Sequence, residues 1–149
     1  MPTASQNKTA RIVSWVLQVA LAAAFLVMGA LPKFTGDPMS VALFEKLGFP
    51  AGMYVVGTFE ALAAVLLLAP RTHALGGVLG VGLMLGAIAS HLGPLGIRTE
   101  LTLNGETSAN PALFFMAILF LALSVVVVTV RRDELPVVGG RFASVPAPA

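Results

Sequence analysis

The stretch IVSWVLQVALAAAFLVMGAL, Ile12 to Leu31, runs for twenty residues without a charged side chain. About 20 predominantly apolar residues are what an α-helix needs to cross the roughly 30 Å hydrocarbon layer of a bilayer. Trp15 stands near the start of the run, where an amphipathic ring suits the boundary between membrane and water. The run outlasts the roughly 7 to 15 residue apolar core of a signal peptide. Three more apolar runs follow it, so it reads as an uncleaved transmembrane helix.

Working outward, Met1 to Ala10 is short and polar. Pro32 to Gly52 carries Lys33, Asp37, Pro38, Glu45, Lys46, Gly48 and Pro50, which are loop and helix-end signals, with a short amphipathic helix through Met39 to Leu47. Met53 to Ala69 is a second apolar run, interrupted by Glu60 and stopped by Pro70 and Arg71 before a tight turn. Ala74 to Leu92 is a third, in which Gly76 and Gly80, then Gly82 and Gly86, repeat the spacing of small residues that lets helix backbones approach closely in lipid. Gly93 to Asn110 is a loop with β-prone character at Leu101 to Leu103. Pro111 then opens a fourth run at a first-turn position suited to proline, ending at Val130 before Arg131 and Arg132. The expected fold is all-α: an integral membrane, up-down four-helix bundle with helices at about 12–32, 53–69, 74–92 and 111–130, forming one domain over 1–132. A Pro, Gly and Ala-rich tail over 133–149 is expected to be disordered.

Composition agrees. Of 149 residues, 57% are hydrophobic and 11% charged, with mean hydropathy +0.91, whereas a soluble domain carries about 25% charged residues. The connections leave no room for a separate catalytic domain. Cysteine is absent, which excludes thiolate nucleophiles, iron-sulfur clusters and cysteine zinc sites. The nine Lys and Arg are spread among apolar runs and form no clustered basic face, so nucleic acid is not the expected partner. They read as topology instead. Lys8, Arg11, Arg71, Arg131, Arg132 and Arg141 fall on one side and Lys33, Lys46 and Arg98 on the other. That imbalance places both termini in the cytoplasm and the longer loops outside a plasma membrane.

Glu60 is the most informative residue. A charge at the bilayer centre costs about 2.5 to 3.5 kcal/mol on insertion scales, so a partner or a function must retain it. It lies seven residues into the second run, about 10 Å along a helix. Lys33 and His91, at the outer ends of the first and third runs, fall at a similar height. Helical spacing puts Gln18, Ala22, Gly29 and Lys33 on one stripe, Gly57, Glu60 and Ala64 on a second, and Gly80, Met84, Ala87 and His91 on a third. All three stripes are expected to face inward, converging on a catalytic or binding site of Glu60, His91 and Lys33. Plainer roles stand beside this one: a snorkelling lysine, a helix-end histidine, an interhelical glutamine, and a Glu60 held only by an ion pair with Lys33 or a hydrogen bond to His91.

Other chemistry has little support. No nucleotide-phosphate loop, histidine-carboxylate metal spacing, serine nucleophile elbow or haem-attachment motif occurs. His73 and His91 are expected on opposite membrane sides, which argues against joint haem ligation.

Arg11 and Trp15, Gly29 followed by Lys33, Leu47-Gly48-Phe49-Pro50, Gly57-Thr58-Phe59-Glu60, Pro70-Arg71, and Gly86-Ala87-Ile88-Ala89-Ser90-His91-Leu92 together resemble the DoxX family, in its DoxX-like branch. The resemblance covers roughly Arg11 to Leu92. It implies a four-helix bundle of a small bacterial membrane protein and, for some members, association with quinone-linked oxidation or membrane oxidoreductase complexes. On that resemblance Lys33, Glu60 and His91 are carried over as the polar site.

Three functions are open at this point. The first is a membrane subunit of a quinone-linked oxidoreductase, in which the bundle holds a quinone head group, Glu60 and His91 relay protons, and a partner subunit supplies electrons. The second is an autonomous intramembrane enzyme or binder for a small apolar molecule, with Glu60 as general acid or base. The third is a structural or assembly protein whose polar cluster fixes helix register.

Overall fold

The computed structural model describes residues 4–135, with side chains from residue 9 onward. Most of the disordered tail expected over 133–149 lies outside the described residues. Its first part is ordered, with Arg132–Glu134 forming a 3₁₀ turn.

The first apolar run belongs to a continuous helical rod over 4–35, made of α1 (Ala4–Ala23), a π-helical stretch (Ala24–Ala30) and α2 (Leu31–Thr35). Pro32 explains the interruption. Proline lacks an N–H and its ring crowds the carbonyl four residues back, so the turn before it widens. The Leu31 N–H accordingly reaches five residues back to Leu26 O. Gly36, at φ 69°, closes the rod in a left-handed conformation.

Helix α3 (Pro38–Lys46) fulfils the expected amphipathic segment. The Asp37 carboxylate accepts from Met39 N at 3.1 Å and Ser40 N at 3.2 Å, and Pro38 occupies the first turn, where its missing N–H costs nothing. Helix α4 (Gly52–Leu68) ends ahead of Pro70, and the turn is fastened by Thr72 Oγ1 donating to Leu66 O at 2.9 Å and Ala69 O at 3.0 Å. Helices α5 (His73–Leu92) and α6 (Ala112–Val130) follow the expected bounds closely.

Two expectations need correction. The molecule is not all-α: β1 (Thr99–Leu103) and β2 (Glu106–Asn110) form an antiparallel hairpin with Leu103 opposite Glu106. Asn104 and Gly105 carry it, at φ 54° and 83°, the paired positive values that a two-residue turn needs. The second correction concerns span number. Thr9–Thr35, His73–Leu92 and Ala112–Val130 are long and apolar enough to cross a membrane, whereas Gly52–Leu68 is a shorter apolar helix of 17 residues. A plain four-helix bundle therefore understates the architecture, which also includes α3 and the hairpin packed against it.

The core is shared by the rod and α4, α5 and α6. Leu21, Ala22 and Phe25 meet Ala63, Ala64, Leu67, Met84, Ala117 and Val127. Gly76 and Gly80 permit the close packing: an added Cβ would lie 2.5 Å from Leu67 N at position 76, and 2.7 Å from Ser124 Oγ at position 80. Gly82 and Gly86 differ from the expectation, since both face open space. The outward faces remain apolar, with Val27 62%, Val65 58% and Phe115 60% exposed, a surface suited to lipid and costly in water.

Candidate functional site

The inward stripes read from the sequence bring two of the three expected site residues together. Lys33 Nζ lies 3.0 Å from Glu60 Oε1 and 2.9 Å from Oε2, with side chains 13% and 8% exposed. Lys33 also donates to Gly29 O at 3.1 Å, one turn back along the rod. Hydrogen-bond geometry is met only at Oε1, which leaves Oε2 a buried acceptor without a hydrogen-bond partner.

Two glycines make this approach sterically feasible. A Cβ at Gly29 would stand 2.8 Å from the Glu60 carboxyl carbon, and one at Gly57 would stand 3.2 Å from Lys33 Cβ. Each helix thus offers a glycine to the charged side chain of the other. The π-helical stretch contributes Gly29 and ends just before Pro32 and Lys33, consistent with the frequent occurrence of such stretches at functional sites.

His91 is placed elsewhere. Its Nδ1 lies 3.0 Å from Thr99 Oγ1 and 3.2 Å from Gly96 O, and its ring meets Phe114 edge to face at 6.0 Å. The contacts of His91 thus run to the hairpin and α6, and it makes no hydrogen bond to Lys33 or Glu60 among the described residues. Helix α5 holds the start of the hairpin through this contact, while Lys46 Nζ donating to Glu100 O at 2.9 Å ties the hairpin to α3.

With this geometry in place, comparison with known families is decisive. A family model described as the DoxX-like family matches residues 16–127. The chain belongs to the DoxX-like family. Among curated proteins and solved structures, no match is found. Family and apolar helices together make this DoxX-like chain a membrane protein.

The DoxX-like fold also holds a second buried polar cluster that the sequence did not announce. Gln18 Nε2 donates to Ser14 Oγ at 2.7 Å, Arg131 Nε donates to the same oxygen at 3.1 Å, and Arg131 Nη1 pairs with Glu134 Oε1 at 3.2 Å. Ser14, Gln18 and Arg131 are at most 3% exposed. Arg131 reads in sequence as a helix stop, and its contact with Ser14 spans 117 positions, which no local pattern encodes. The Ser14 to Gln18 spacing of one helical turn was the available signal. Nearby, His73 Nδ1 lies 2.8 Å from Leu67 O and its ring meets Trp15 edge to face at 5.8 Å.

Proposed function

We propose that this DoxX-like protein is a four-crossing membrane subunit of a quinone-linked oxidoreductase system, with Lys33 and Glu60 as the polar anchor for the quinone head group. The observation that carries the reading is the buried Lys33–Glu60 ion pair itself, a carboxylate with Oε1 and Oε2 at 3.0 and 2.9 Å from the ammonium among apolar helices. The residue types fit the group: an ammonium can donate to a quinone carbonyl, and a carboxylate can accept from a quinol hydroxyl.

A quinone supplies reversible two-electron, two-proton chemistry in an apolar medium. Lys33 orients the head group, Glu60 takes or returns a proton at Oε2, and the surrounding apolar helices exclude bulk water. The electrons come from a partner subunit. His91 acts indirectly, by holding the hairpin over the end of α5. Helix α4 serves as the fourth crossing, since 17 residues reach the lower end of spanning lengths. The two termini lie on the cytoplasmic side of the plasma membrane.

A second reading draws on the same ion pair: it fixes the rod against α4 in an assembly protein. Extraction of small molecules from protein purified in mild detergent separates the two. Prenyl quinone enriched in wild type and lost from a folded Glu60→Gln variant supports the first reading. No enrichment, with Glu60→Gln losing only stability, supports the second.

A further inference from the structure

The one tryptophan and the one tyrosine of the chain stand at opposite ends of the bundle, with Trp15 46% and Tyr54 52% exposed. The rod and α4 run antiparallel, since Gly29 meets Glu60 while Leu21 shares the core with Leu67. The approach of Gly57 to Lys33 fixes their register. With a rise of about 1.5 Å per residue, less across the π-helical stretch, Lys33 lies about 25 Å beyond Trp15 along the rod, and Tyr54 about 5 Å farther out on α4. A separation of about 30 Å matches the hydrocarbon thickness of a bilayer, and amphipathic rings collect at its two boundaries. Trp15 and Tyr54 therefore mark the two edges of the membrane.

Helix α3 falls at the level of Tyr54. The rod ends at Thr35, just past Lys33, and α4 begins at Gly52, just before Tyr54, so both neighbours of α3 end within about 5 Å of that height. The chain turns sharply on either side of α3, through Gly36 at φ 69° and Gly48 at φ 71°, with Phe49 N donating back to Phe44 O at 3.1 Å. Helix α3 thus sits across the end of the bundle, against the rod, α4 and β1.

Polarity gives this layer a direction. Leu101 of β1 is buried, while β2 is exposed along its whole length and is polar except for Ala109. The charges of α3, Glu45 and Lys46, are confined to its last turn, where Lys46 bonds the hairpin. Elsewhere around α3 large apolar side chains are exposed: Phe34 48%, Met39 45% and Phe49 57%. The Phe34 ring approaches Gly57 and the Phe49 ring lies over Gly52, so both carry the lipid-facing surface of α4 outward without a break.

We propose that α3 is an interfacial helix, lying in the boundary layer of the membrane with Phe34, Met39 and Phe49 held in lipid and the hairpin raised above it into water. The placement rests on α4 crossing the membrane, which is part of the reading above, and is independent of the quinone.

Depth-dependent fluorescence quenching of the purified full chain in phosphatidylcholine vesicles tests it. Trp15→Phe removes the one tryptophan, after which Phe49→Trp, Thr107→Trp and Leu62→Trp each report a single position. Phe49→Trp is expected to be quenched most by lipids brominated near the glycerol end of their chains, with emission to the blue of Thr107→Trp and quenching by aqueous iodide lost. Met39→Trp should repeat the result while leaving the Phe49 ring on Gly52. Leu62→Trp, on the exposed side of α4 about 12 Å farther in than Tyr54, should be quenched most by bromines nearer the chain ends. Iodide quenching of Phe49→Trp and Met39→Trp as strong as that of Thr107→Trp would place α3 in water and overturn the proposal. Shielding from both iodide and brominated lipid would overturn it too, by showing that a second copy of the chain covers α3, as would strongest quenching by the deeper bromines. Shallow quenching of Leu62→Trp would show that α4 does not cross, which would remove that part of the reading above along with the placement of α3.

Discussion

Gly29 leaves the space that the Glu60 carboxyl group fills, because a Cβ at that position would stand 2.8 Å from the carboxyl carbon. Gly57 does the same for Lys33, at 3.2 Å from its Cβ. The ion pair is therefore built into the backbone as well as the side chains. Glycine at both positions lets the rod and α4 approach with Lys33 Nζ within 3.0 Å of both carboxylate oxygens, without displacing either side chain.

Gly29→Ala should displace Glu60 and destabilise the protein by about 1 to 3 kcal/mol, the usual cost of overfilling a packed contact. Reversible unfolding in mixed micelles measures this, and Gly82→Ala is the control. Position 82 faces open space, so alanine there should be neutral or slightly stabilising through its helix propensity.

Lys33→Met and Glu60→Gln should not be additive. Either change alone strands a partly buried partner and should cost up to about 3 kcal/mol, the lower end of the range for fully buried pairs. The double variant should be less destabilised than the sum, with a coupling of about 1 to 3 kcal/mol in a double-mutant cycle. Additive losses would mean that the two charges do not interact.

His91→Ala removes the acceptor or donor that Thr99 and Gly96 use at the base of the hairpin. The expected result is faster amide exchange across Thr99–Asn110 with the protection of α4 and α6 unchanged, for a cost of about 1 to 2 kcal/mol. If exchange instead rises around Lys33 and Glu60, His91 belongs to their site after all.

Four crossings with cytoplasmic termini place position 107 outside and position 71 inside. The chain contains no cysteine, so single cysteines at these positions give a clean background for labelling. A membrane-impermeant maleimide should label Thr107→Cys in intact cells and Arg71→Cys only after permeabilisation. Labelling of both from the same side would remove α5, the helix between the two positions, as a crossing.

Much of this arrangement was legible because helical periodicity and lipid solvation act locally. The uncharged run from Ile12, the stop at Pro70, and the inward stripes of Gln18, Glu60 and Met84 follow from 3.6-residue spacing and the cost of exposing polar groups to lipid. Gly29, Lys33, Gly57 and Glu60 lay on those stripes, and the structure brings them together. The hairpin was less visible because Asn104 and Gly105 count equally as loop residues and as a two-residue turn, and only their pairing of Leu103 with Glu106 decides between them. His91 takes the plainer of the two roles read for it, a helix-end histidine on a backbone carbonyl, and helical height does not reveal that Thr99 folds back beside it as well. The burial of Arg131 depends on a contact with Ser14 at the far end of the chain, which a charge following an apolar run cannot indicate.

The most direct test of the central claim is an infrared difference spectrum, recorded while bound quinone is reduced electrochemically in vesicles holding the purified protein. If Glu60 exchanges a proton with the quinone head group, a carboxyl C=O band should change on reduction in wild type and be missing from a folded Glu60→Gln variant. Identical carboxyl spectra in the two proteins would contradict the account and leave the Lys33–Glu60 pair as a fastening between helices.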